Sequence, residues 1–363
     1  MTASNTTPAA APATTATDET VPVLDAHRFD EAALARFMEA NVDGYTPPLN
    51  VSQFQGGMSN PTFLLGDGAG RRYVLRKKPP GALLPSAHAV DREFRVISAL
   101  AQTDVPVAKA YALCEDETII GQTFYVMEFV EGRVFRDISL PELAPAERSA
   151  VYDAMGDVLA RLHKVDYAAV GLGDYGRVGG YVSRQVRRWS QQYEASKTED
   201  LAAMDKLMAW LPDNIPDDSL TTIAHGDYRI ENLLYHPTEP RILAVVDWEL
   251  GTLGNPFSDL AYNCLPYHMA DERWGDITSI DYAATGIPSE ADYVAKYCAR
   301  TGRDDIPDWT FYLVLSLFRL AAIIQGVYYR GVQGNAPTPE ALKRRDKCRE
   351  LSEIAWALVE RGG

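Results

Sequence analysis

The chain has 363 residues, 46% hydrophobic and 23% charged, a length that fits about two lobes or domains and a composition ordinary for a globular protein. Lys and Arg number 35 against 50 Asp and Glu, a formal net charge of -15. Such a chain is a poor general binder of nucleic acid or anionic membrane, so neither is expected as a partner, while a local basic site can still hold a small anion.

Residues 1–22 open with MTASNTTPAAAPATTATDET, rich in Ala, Thr and Pro and without an aromatic residue. They bury too little surface to offset their ordering entropy, which predicts a disordered tail. The segment lacks an apolar stretch and the first positive side chain is Arg28, which argues against a targeting peptide. The cysteines at 114, 264, 298 and 348 form no CxxC pair. They read as free core thiols in a reducing cytoplasm, not as a disulfide framework or zinc site.

Residues 28–40 carry Phe29, Leu34, Phe37 and Met38 at helical spacing. Three strands follow, separated by turns: Val51 to Phe54, Thr62 to Leu65, and Tyr73 to Arg76, with Gly56-Gly57 and Gly66-Asp67-Gly68 between them. The first turn, in FQGGMSNPTF, lets backbone N–H groups approach phosphate oxygens. Ser59 adds a hydroxyl donor and Asn60 is placed to hold the turn. Arg76 follows the glycines by about twenty residues on a strand from which a cation reaches phosphates; it needs a carboxylate to hold it. Glu93 supplies one, from a helix over 88–102 with Val90, Phe94, Ile97 and Leu100 on one face. The plainer reading of Arg76 is a solvated strand end, since Arg71, Arg72, Lys77 and Lys78 crowd the same stretch.

Two further strands, in YALCED and TFYVMEFVEG, end at Gly132. Beyond it helical patterns dominate: 145–163, 180–196, 199–211, 289–301, 308–330 and 338–361. The most apolar stretch, 311–329, approaches the length of a membrane span, but Arg319 in its middle favours a buried helix.

A short β-rich insert between the helices carries IAHGDYRIENLLYH and RILAVVDWELG. Asp227 follows His-Gly on a tight loop, where a carboxylate accepts a proton from a hydroxyl or orients it. Asn232 offers a hard carbonyl oxygen suited to magnesium. Arg229 is placed to neutralise charge on a transferring phosphoryl. His225 reads as a brace for the loop. Asp247 ends an apolar strand fifteen residues after Asn232, enough for a hairpin that brings the two oxygen ligands together. Asp259 reads as an acceptor for loop N–H groups.

Taken in order, the Gly turn, the strand cation, the helix glutamate, the YVMEFVEG hinge, the H-G-D-x4-N loop and the later Asp resemble the kinase-like fold. The wording is similar to the aminoglycoside phosphotransferase and choline kinase superfamily over roughly residues 30–330. GGMSNPTF, YVLRKKPPGALLPSAHAVDREFRV and VVDWELGTLGNPFSDLAY resemble a branch that is free-standing in bacteria and fused to acyl-CoA dehydrogenase domains in animals. No flavin-binding dehydrogenase domain is recognisable. The resemblance implies an α+β, two-lobed fold. A small antiparallel β-rich N-lobe spans 23–130 and binds the nucleotide, and a mainly helical C-lobe spans 131–363.

The implied reaction is in-line transfer of the γ-phosphoryl of ATP to a small-molecule hydroxyl. Asp227 orients or deprotonates the hydroxyl, with Arg229 beside it. Asn232 and Asp247 hold Mg2+. Gly56, Gly57, Ser59, Asn60 and Arg76, steadied by Glu93, hold the phosphates. Glu128 and Val130 bind adenine through the backbone and Met127 lines the pocket. Arg76 stands where protein kinases carry lysine, and arginine still grips phosphate bidentately. Gly226 replaces their arginine and no A-P-E segment follows Asp247, which favours a small acceptor over a protein. The fused branch suggests a hydroxyacyl-CoA or related acyl compound. An aminoglycoside acceptor and a nucleotide-binding pseudokinase are the alternatives. Arg184, Arg187 and Arg188 share one helix face. They read either as a solvated face paired with Glu194 and Glu199 or as a receptor for an anionic acceptor. Nothing in the sequence specifies an oligomeric state.

Overall fold

The computed structural model describes residues 14–15, 20–55, 60–79, 89–271, 274–334 and 339–362. The N-terminal part runs β1 (Thr14–Thr15), β2 (Thr20–Val21), α1 (Glu31–Asn41), β3 (Asn50–Phe54), β4 (Thr62–Gly66), β5 (Arg72–Lys77), α2 (Val90–Leu100), β6 (Ala110–Cys114) and β7 (Phe124–Glu128). Strands β2 to β7 form an antiparallel six-stranded sheet in the order β2-β3-β4-β5-β7-β6. The pleat's period of two sorts its faces. Phe63, Leu65, Tyr73 and Leu75 point into a core with Leu34 and Met38 of α1. Val74 and Arg76 point the other way, into the cleft between the lobes.

The larger lobe continues with β8 (Arg133–Val134), α3 (Pro145–Lys164), α4 (Tyr181–Ser196), α5 (Ala202–Asp213), β9 (Thr222–Ala224), β10 (Leu233–Tyr235), β11 (Ile242–Val245), β12 (Thr252–Gly254), α6 (Pro256–Asn263), α7 (Tyr282–Thr285), α8 (Glu290–Thr301), α9 (Trp309–Val332) and α10 (Lys347–Gly362). The fold is therefore a two-lobed α+β kinase-like architecture. Helix α9 packs against α4, α6 and α10. It is long and apolar enough to cross a membrane by length and composition, yet 78% of its most apolar 18-residue window is buried inside the protein. All four cysteines are buried and free.

Two differences from the sequence reading concern the ends. Within the segment expected to be a disordered tail, β1 pairs with β8 and β2 pairs with β3. Sheet edges present unpaired N–H and C=O groups, and even short polar segments satisfy them. The helix expected over 338–361 is divided into a 3-10 turn, Pro339–Arg344, and α10. The Asp346 carbonyl takes the first helical bond, from Glu350; aspartate is a favoured helix-capping residue and it separates the two pieces.

Candidate active site

Arg76 projects from β5 between two carboxylates, with Nε 3.1 Å from Glu93 Oε2 and Nη2 3.2 Å from Asp247 Oδ1. Glu93, only 1% exposed, also accepts bonds from Asn60 Nδ2 at 2.8 Å and the Tyr125 hydroxyl at 3.0 Å. Asn60 thus serves the Glu93 carboxylate directly. Burial pushes the Glu93 carboxyl up, against the pull of Arg76. Burial acts to lower Arg76 in turn, but Glu93, with Asp247 behind it, outweighs this and the guanidinium is held firmly charged. Gly56, Gly57 and Ser59 lie outside the described residues.

The cleft beside Arg76 is lined by Val74, Ala108, Met127, Val130, Leu234 and Val246, apolar walls suited to a nucleotide base. The Glu128 N–H is already given to the Lys109 carbonyl at 2.8 Å, so it is not a donor for that base. Phe54 and Phe129, also in the lining, stand parallel within 5° with centroids 6.4 Å apart.

The loop after β9 is built around buried Asp259. Its oxygens receive the N–H groups of His225 at 2.5 Å and Gly226 at 2.8 Å, as its sequence context predicts. Burial works to raise its carboxyl, but His163, His225 and the Gly226 N–H hold it below the ordinary aspartate value. His225 Nε2 donates to the Val246 carbonyl at 2.9 Å, and Nδ1 accepts the Asp227 N–H at 3.2 Å. Both ring nitrogens are thereby committed to bracing.

Asp227 is left facing a set of donors. Asn232 Nδ2 lies 3.0 Å and Arg229 Nε 3.3 Å from its Oδ2. The Tyr262 hydroxyl bonds the same carboxylate, and burial together with that charge pushes the phenol up. Arg229 also pairs with Glu231 at 2.8 Å and lies over the Trp274 ring at 5.1 Å.

Asn232 and Asp247 are brought together by the β10–β11 hairpin, in which the Val246 N–H reaches the Asn232 carbonyl at 2.9 Å. Asp247 occupies the left-handed region at φ 66°, a strained conformation of the kind concentrated at functional sites. With Nδ2 of Asn232 spent on Asp227, its remaining donor atom is an oxygen. That oxygen and the Asp247 carboxylate are hard ligands, a set that fits magnesium when phosphate and water oxygens complete the shell. Among the described residues no group of three His, Cys, Asp or Glu side chains forms a self-sufficient metal site.

A second, narrow pocket opens beside Asp227. Arg229 and Tyr262, which touch Asp227, are in its wall, with Ile138, Leu265, Met269 and Trp274 supplying an apolar lining. Sequence reasoning missed Tyr262 and Trp274, whose side chains reach the loop only through tertiary packing. Arg184, Arg187 and Arg188 are not part of this group. Arg184 donates to the carbonyls of Gly179 and Arg177, Arg187 is exposed, and Arg188 lies over Trp189 at 5.3 Å. Glu199, one expected partner, pairs instead with Arg349 at 2.7 Å.

The sequence profile of the phosphotransferase enzyme family matches residues 50–295. Acyl-CoA dehydrogenase family member 10 of Mus musculus is 42% identical over 352 residues, covering 95% of this chain and 32% of that protein. The chain therefore spans about a third of that relative's length. The crystal structure of a candidate aminoglycoside phosphotransferase from Ralstonia eutropha is 51% identical, with a TM-score of 0.86 over 92% of this chain and 99% of the other. A Cryptosporidium parvum choline kinase shares the fold at 13% identity and a TM-score of 0.63, over 92% of this chain and 97% of its own.

Proposed function

Because the chain belongs to the phosphotransferase enzyme family, we propose that it is an ATP- and magnesium-dependent kinase of a small-molecule hydroxyl, with a hydroxyacyl compound, free or as its CoA thioester, as acceptor. The observation that carries the reading is the Asp227 carboxylate. It lies 3.0 Å from Asn232 Nδ2 and meets Arg229 and Tyr262, which are in the wall of the second pocket.

The acceptor hydroxyl enters beside Arg229 and is oriented by Asp227, which receives its proton as the oxygen bonds to the γ-phosphorus and the bond to the β-phosphate oxygen breaks. Arg76 grips the phosphates and Arg229 offsets charge on the transferring group. Asn232 and Asp247 would hold magnesium, and the ion would neutralise charge on the phosphates. The Met127–Val130 hinge holds the base.

The apolar lining of the second pocket supports an alcohol on a carbon chain. The resemblance to a candidate aminoglycoside phosphotransferase supports an antibiotic acceptor as the second reading. For a polycation the same wall offers Glu231 and Asp271 beside the apolar Ile138, Leu265 and Met269. The intact Asp227, Asn232 and Asp247 oppose a pseudokinase. Of the α4 arginines, Arg187 and Arg188 are exposed toward an incoming acceptor's phosphates, while Arg184 is given to the Gly179 and Arg177 carbonyls. The test is a panel of hydroxyacyl-CoAs, hydroxy acids, aminoglycosides, choline and sugars with magnesium and ATP. The reading requires kcat/KM to be highest for a hydroxyacyl compound; an aminoglycoside as best substrate overturns the acceptor assignment.

A further inference from the structure

Arg319 stands midway along α9 and is 9% exposed. Its partners among the described residues are the Gly226 carbonyl, 2.5 Å from Nη2, and the faces of Trp189 and Tyr262, with ring centroids 5.6 and 5.0 Å away. None is a carboxylate, and its Nε is buried without a hydrogen-bond partner. A guanidinium placed this way is costly, and an apolar side chain of the same length would serve packing better.

The contact it makes is at a critical peptide. Gly226 has φ +84°, and a Cβ there would lie 2.8 Å from the Leu250 carbonyl oxygen. The loop therefore turns at this glycine and cannot relax by taking a side chain. The following peptide joins Gly226 to Asp227. Its N–H is fixed by His225 Nδ1 at 3.2 Å and its carbonyl by Arg319. That peptide's plane sets where the Asp227 side chain leaves the backbone. Arg319 is itself held by aromatic rings. Trp189 is anchored through its indole N–H to Gln185 at 2.7 Å, and Tyr262 belongs to the wall of the acceptor pocket.

The structure assigns Arg319 as a positioning residue for Asp227, locking the Gly226–Asp227 peptide from the side of helix α9. This rests on the reading of Asp227 given above. The stacking also ties the lock to the pocket, because Tyr262 touches both the Arg319 guanidinium and the Asp227 carboxylate.

Arg319→Met keeps the length and removes charge and donor; Arg319→Lys keeps the charge and one donor. Amide exchange over 223–236, read by mass spectrometry on the whole chain, is the first measurement. It is expected to rise about tenfold in the Met variant, less in the Lys variant, and to stay unchanged elsewhere. The Met variant's Tm is expected within about 3 °C of wild type, because loss of the carbonyl bond is offset by loss of a buried unpaired charge. The second measurement is ADP release from magnesium ATP with water as acceptor. Arg319→Met should lower kcat about 100-fold with the KM for ATP within about twofold, and Arg319→Lys should recover about tenfold. Unchanged loop exchange overturns the assignment. So does a loss of protection and Tm throughout the chain, which marks a packing role. Absence of ADP release by the wild type shows that water is not an acceptor; the acceptor panel then tests the phosphotransferase reading, and the exchange result decides Arg319.

Discussion

Asp259 receives the N–H groups of His225 and Gly226 on its two oxygens, with His163 Nε2 behind it at 3.5 Å. The carboxyl is depressed below the usual value of 3.8 by His163, His225 and the Gly226 N–H, against the opposing effect of burial. A depressed carboxylate contributes stability that is present above the unfolded value and lost as pH falls through the folded one. Asp259→Asn should therefore lower stability at pH 7, by about 2 kcal/mol on the scale of a charged hydrogen bond. The gap to wild type should close below about pH 4. Tm measured for both proteins from pH 7 to pH 3 checks this. A gap that persists unchanged to pH 3 means that the charge of Asp259 is not what steadies the loop.

Strand β5 and helix α2 act together, since Arg76 comes from one and Glu93 from the other, at an ion-pair distance of 3.1 Å. Glu93→Gln leaves an acceptor for Asn60 but removes the charge opposite Arg76. Its affinity for magnesium ATP should fall about tenfold, or about 1.4 kcal/mol, by calorimetric titration. Equal affinities would show that α2 does not position Arg76. This pairing is legible in sequence because a strand cation and an amphipathic helix with one inward acid are both local patterns. Helix α9 is legible for the same reason, its apolar run being longer than any surface stripe. Asp259 is legible as an acceptor for loop N–H groups, although it stands in the first turn of α6 and not before a helical run. The Arg319–Gly226 contact is not, because it joins residues 93 apart and no local periodicity encodes it. Tyr262 likewise sits on α6 as an ordinary aromatic until packing turns its hydroxyl toward Asp227. The division before α10 escapes a reading by apolar spacing, which runs through Asp346 without registering a cap.

At the scale of the molecule, the N-lobe contributes Arg76 and the larger lobe contributes Asp247, and the two meet across the cleft at 3.2 Å. Asp247 is the one carboxylate assigned to magnesium, so Asp247→Ala should remove the magnesium dependence of ATP binding. Calorimetry with and without the metal reads this directly; an unchanged dependence places the metal elsewhere. The account as a whole depends on phosphoryl transfer at Asp227. Its most direct test is mass spectrometry of the acceptor after incubation with magnesium ATP and either wild-type protein or Asp227→Asn, with ATP affinity measured in parallel. The predicted result is a phosphorylated small-molecule product from wild type and a rate lower by about 10² to 10⁴ in the variant, with ATP affinity within a few-fold. Equal product from both proteins, or ATP binding by wild type with no phosphorylated acceptor across the panel, would contradict it.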